Sequence, residues 1–180
     1  MCRLLKKDKT FKISDGFQPT DLLKYASDHL ASAKLLFETN PLCYDSAGYL
    51  AHLGLELILK SILLNLNGEF PAEHNLEILY NLAKKAGAHL LERKEEKALA
   101  KISQFFYLRY VNPQNPIEIG DDDWKMIEKI FFSLLTNFPN NIMSEIHNSN
   151  YYEKGSRILF RKTKGTHKLT GQSNRYAKNK

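Results

Sequence analysis

From Tyr44 to Asn67 the chain reads YDSAGYLAHLGLELILKSILLNLN, with apolar residues on almost every side of a 3.6-residue period. Leu50, Leu53, Leu57 and Leu64, with Ala51, Ile58 and Ile62, recur at three- and four-residue spacing, while Leu55, Leu59, Leu63 and Leu66 fill the flanks. A helix of this kind belongs at the centre of a bundle. Its one polar stripe is His52, Glu56 and Lys60 at successive i,i+4 positions, with the acid N-terminal to the base in the favourable order. The charged pair lies mid-segment and the uninterrupted apolar part falls short of the roughly 18 to 20 residues of a membrane span. The pattern therefore predicts a core helix and no membrane association.

The flanking stretches are amphipathic. After Pro19, Leu22, Leu23, Tyr25, Ala26, Leu30, Ala33, Leu35, Leu36 and Phe37 predict a first helix, capped from Thr20 or Asp21 and stopped at Asn40-Pro41. Asp45 or Ser46 is expected to cap the central helix, and Asn67-Gly68 to end it by a left-handed turn. A loop from Gly68 to His74 leads into a third helix, with Leu76, Ile78, Leu79, Leu82 and Ala83 on one face and Gly87 after its end. A fourth runs from about Leu90 to Leu108, packing Leu99, Ile102, Phe105 and Phe106. The prolines in RYVNPQNPIEIGDDDW predict an ordered loop, after which Asp121 to Asp123 open a fifth helix through Trp124, Ile127, Ile130, Phe131, Leu134 and Leu135. The expectation is an all-α, up-and-down bundle of about five helices over residues 19–139.

Two segments lie outside it. Residues 1–18 are a polar, basic leader, loosely held, with room for a short strand or an arm. Residues 140–180 form a basic C-terminal extension, in which Ile142 to His147 suit a helical turn and the stretch around Ile158, Phe160 and Lys164-Gly165 a short hairpin. Charge sharpens this division. Of the 26 Lys and Arg, nine lie between Lys154 and Lys180 with no acid among them, which leaves residues 1–153 with 17 bases against 20 acids, a net of −3. An acidic body with a basic tail suggests a surface reserved for a polyanion or an acidic partner. Tyr151, Tyr152, Phe160 and Tyr176 add rings able to stack on unpaired bases. Cys2 and Cys43 are too few for a disulfide framework and no signal region follows Met1, so the expected location is the cytoplasm.

The run AGYLAHLGLELILKSILL, the proline-containing loop after it, the His74-Asn75-Leu76 that opens the third helix and the Arg109-Tyr110 after the fourth together resemble the HEPN superfamily, higher eukaryotes and prokaryotes nucleotide-binding domains. The resemblance covers about Asp21 to Phe138. It implies a bundle of four or five helices that commonly dimerises, working in toxin–antitoxin or defence systems either as an RNase or as a quiet partner of a small nucleotidyltransferase. The catalytic branch carries an Arg, four to six residues, then a His, so that the Arg holds the scissile phosphate and the His moves a proton in metal-free cleavage through the RNA 2′-hydroxyl. After Arg109 the chain continues Tyr110, Val111, Asn112, Pro113, Gln114, Asn115 and Pro116, with no His. The resemblance is thus to the non-catalytic branch. One literal match, Arg161 and His167 with five residues between, lies in the basic tail and defines the alternative of a metal-independent RNase.

Candidate residues follow. Arg109 and Tyr110, with Lys154, Arg157, Arg161, Lys162, Lys164 and Lys168, are the expected RNA or nucleotide contacts, though a cation at a helix end also suits the helix dipole. His52, Glu56, Lys60 and His74 line a groove or form a polar seam that satisfies itself between helices. His74 and Asn75 also suit a cap for the third helix. Consecutive carboxylates at Asp121 to Asp123 point different ways and fit N-capping rather than a metal. No phosphate-cradling glycine loop and no nucleophile triad is present, and no cofactor is expected. The expected partners are a second copy of the chain, a nucleotidyltransferase or antitoxin, and RNA; a purely structural dimerisation role is the remaining alternative.

Overall fold

The structure, a computed structural model, describes residues 9–110 and 116–138. Five helices, α1 (Pro19–Thr39), α2 (Tyr44–Asn67), α3 (Leu76–Lys85), α4 (Arg93–Ser103) and α5 (Asp121–Thr136), build an all-α bundle around α2. Burial follows the helical period. α1 buries Leu22, Leu23, Ala26, Leu30, Ala33 and Phe37, and α5 buries Trp124, Ile127, Ile130, Phe131, Leu134 and Leu135. α2 is buried on nearly every side, His52, Glu56, Lys60 and Ser61 included. By length and composition α2 would pass for a membrane span, yet 78% of its most apolar window is buried inside the bundle.

The helix ends refine the expected caps. α1 starts at Pro19 after an extended Gln18, which places Thr20 and Asp21 inside the first turn rather than at the cap. α2 starts at Tyr44, straight from a 3₁₀ turn at Pro41–Cys43, so neither Asp45 nor Ser46 caps it; Asn40 orders the turn instead, accepting from Leu42 N through its side chain at 3.0 Å. Gly68 closes α2 in the left-handed region, φ 73°, its N–H donating to Leu64 O. Asn75 caps α3, Oδ1 accepting from Glu77 N at 2.9 Å and Ile78 N at 3.1 Å. Asn75→Ala is therefore expected to cost about 1 kcal/mol, seen as a lower urea midpoint at unchanged slope. α4 is shorter than its pattern suggested. It begins at Arg93 and tightens after Ser103 into a 3₁₀ turn, Gln104–Arg109.

Two features depart from a pure bundle. Strand β1 (Thr10–Lys12) pairs antiparallel with β2 (Glu69–Pro71), Phe11 opposite Phe70, so a strand sits inside the expected Gly68–His74 loop. Phe11, Phe17 and Phe70 form a three-ring cluster with centroids 5.2 to 5.5 Å apart. These contacts join residues almost sixty positions apart, beyond what local pattern carries. The second is Glu95, fully buried, whose carboxylate takes Ser133 Oγ at 2.8 Å, Glu92 N at 2.8 Å and Lys129 Nζ at 3.3 Å. At the start of α5, Asp123 accepts from Gly120 N and pairs with Lys101, while Asp122 pairs with Lys125.

Candidate functional site

The polar stripe of α2 closes on a residue from another segment. The connection from β2 to α3 brings His74 over α2, where Nδ1 lies 3.0 Å and 3.1 Å from the two carboxylate oxygens of Glu56. Oε1 also accepts from Lys60 Nζ at 2.6 Å, one helical turn along. Burial by itself would push the Glu56 carboxyl up. The nearby His52 ring, hydrogen bonding from Lys60 and the charge of Lys60 and His74 outweigh it and hold the group down to about 2. Glu56 is thus a buried, ionised anchor.

His52 is the less settled member. Its Nδ1 lies 3.2 Å from Ile102 O, a group that only accepts, so Nδ1 carries the proton in that contact. Nε2 stands 3.4 Å from Glu56 Oε2, close to the carboxylate yet without the alignment of a hydrogen bond. The imidazole is fully buried, so this nitrogen is an orphan.

Phe106 ties the seam to the surface. His74 stacks on its ring at 4.9 Å and 20°, His52 leans on it at 5.5 Å, and Tyr49 and Tyr107 flank it. The Arg109 guanidinium sits 3.8 Å from the same ring centre and 4.7 Å from that of Tyr110. Arg109 and His74 can accordingly be no further apart than those two distances from Phe106 laid end to end. Arg109 is exposed, and among the described residues no carboxylate pairs with it. Beside this array lies an open cleft of about 380 Å³ lined by Glu73, His74, Asn75, Gln104, Phe106 and Tyr107, among others. Glu73 is spent on its own loop, accepting from His74 N and Asn75 N at 2.8 Å each.

The structure therefore brings together two groups of candidates kept apart in the sequence reading: the seam His52, Glu56, Lys60 and His74, and the pair Arg109 and Tyr110. No His follows Arg109 along the chain, but one stands near it in space, supplied by the β2–α3 connection. Lys154, Arg157, Arg161, Lys162, Lys164, His167 and Lys168 lie outside the described residues. Phe106 was expected only as a packing residue. The missed signal is the run Phe105-Phe106-Tyr107, since three successive rings in a 3₁₀ turn cannot share one face: Phe105 is buried and Tyr107 is 58% exposed.

Chemically, the array offers a guanidinium fork, an imidazole backed by a buried carboxylate, and exposed rings at Tyr107 and Tyr110. Those are the elements that hold a phosphate beside a stacked base. Comparison with curated proteins and with solved structures finds no significant match. The HEPN domain family model matches residues 20–122, more than half of the chain, taking in α1 from its second residue, α2 to α4 and the Phe106 array. The chain belongs to the HEPN domain family.

Proposed function

We propose that this protein is a non-catalytic HEPN module of a toxin–antitoxin or defence system, binding RNA or a nucleotide through the Phe106 array and the basic tail. Family membership supports the coarser statement, a nucleotide- or RNA-related or toxin–antitoxin-type role. The observation that carries the finer one is the exposed Arg109, whose guanidinium lies over the rings of Phe106 and Tyr110 and shares Phe106 with His74. A second copy of the chain and a nucleotidyltransferase or antitoxin are its proposed partners. The absence of a His in the seven residues after Arg109 supports a quiet bundle.

The test is anisotropy of a labelled single-stranded oligoribonucleotide without metal, across a salt series. Expected are binding that weakens steeply with salt, a several-fold loss in Arg109→Ala, and a shallower salt slope when residues 154–180 are removed. Salt-independent binding, or no binding, would sink the reading. The literal pair Arg161 and His167 supports the one enzymatic alternative, a metal-independent RNase. Intact RNA with both wild type and His167→Ala is the expected result, and cleavage that vanishes in His167→Ala would install the alternative.

A further inference from the structure

The Glu56 carboxylate has more partners than it can serve equally, and they differ in one respect. Lys60 and His52 are buried on α2 itself, whereas the His74 side chain is 53% exposed and arrives on a loop that also walls the cleft. His74 is thus the only partner that can leave. If it leaves, Oε2 loses its 3.1 Å contact, and the ring nitrogen still facing it is the orphan Nε2 of His52, 3.4 Å away and lacking the alignment of a hydrogen bond rather than the distance. A buried carboxylate abandoned without compensation is costly. Here the compensating nitrogen is in place and lacks only a proton.

We infer that His74 is a detachable gate residue of the cleft, drawn from Glu56 by a phosphate bound against Arg109, and that His52 is the positioning residue that catches the carboxylate when His74 goes. This rests on the nucleotide reading of the cleft for its trigger, but the transfer itself does not. Because Nδ1 of His52 already donates to Ile102 O, the catch requires a second proton, on Nε2, taken from solvent. His52 also holds the last turn of α4, next to the 3₁₀ turn that carries Phe106 and Arg109, so the same event reports to the other wall of the cleft.

The test uses the full chain with ¹⁵N-labelled histidine and reads the His52 ring by proton–nitrogen correlation. In His74→Ala, a change at an exposed side chain, the expected result is a new, slowly exchanging Nε2–H on His52, both ring nitrogens protonated, and loss of that signal in His74→Ala/Glu56→Gln. An unchanged His52 spectrum in His74→Ala overturns the catch. Inorganic phosphate and a short uridine oligonucleotide are then added separately to the wild type. Appearance of the same His52 signal with either supports the gate, and binding that shifts Arg109 while leaving His52 and His74 unmoved overturns it. Binding of neither probe removes the trigger and counts against the nucleotide reading, while the transfer to His52 stands or falls on the His74→Ala spectrum.

Discussion

Glu56→Ala is expected to lower the unfolding free energy by about 3 to 5 kcal/mol, the range for removing one member of a buried ion pair. The reason lies in what remains. Lys60, with 8% of its side chain exposed, loses the oxygen 2.6 Å from Nζ and keeps only the distant face of Phe70 at 5.7 Å. His74 loses its acceptor in the same step. Urea unfolding measures the loss, and Glu56→Ala/Lys60→Leu should recover part of it, because no stranded charge remains. A loss under 1 kcal/mol for the single variant would mean that Lys60 escapes to water along its stem and that the seam contributes little. The same residue sets an acid dependence. Its folded-state pKa is depressed from 4.5 to about 2, so its stabilisation is complete above pH 4.5 and drains as pH falls from 4.5 towards 2. The amount is of the order of 3 kcal/mol, and Glu56→Gln should flatten that part of the stability curve.

The second large effect is expected at Gly54. A Cβ there would stand 2.5 Å from Leu30 Cγ and 3.1 Å from the Ala26 carbonyl oxygen, so α1 and α2 approach through this position. The obstruction is a branch carbon and a backbone atom, neither of which can swing aside. Gly54→Val should cost about 3 kcal/mol or more by forcing the helices apart, a drop in melting temperature of roughly 10 °C. Gly48→Ala is the contrast. Its Cβ would meet the side-chain tips of Ile119 and Leu108, which can re-rotate, and the alanine improves helix propensity, so a much smaller change is expected. Equal losses at the two positions would show that helix spacing is not set at Gly54.

The bundle was legible because each helix carries its own period and its own stop. Gly68 and Asn75 behave as their residue types require, one by its left-handed turn and the other by its side-chain oxygen. That His52, Glu56 and Lys60 share one face was also readable, from spacing alone. His74 closing it, Phe106 joining it to Arg109, and Glu95 reaching α5 were not readable. Each depends on which connection lies over which helix, a tertiary fact without a local signature. The caps of α1 and α2 were misplaced because good capping residues stood one or two positions inside the first turn, where proline and a preceding 3₁₀ turn had already set the start.

The pairing of β1 with β2 makes the amino-terminal end a lever on the cleft. Ala72 N donates to Lys9 O at 2.8 Å, and from Pro71 only two residues intervene before His74. A proline-stiffened connector this short transmits displacement rather than absorbing it. The β1–β2 pairing therefore steadies the connection that holds the imidazole on Glu56.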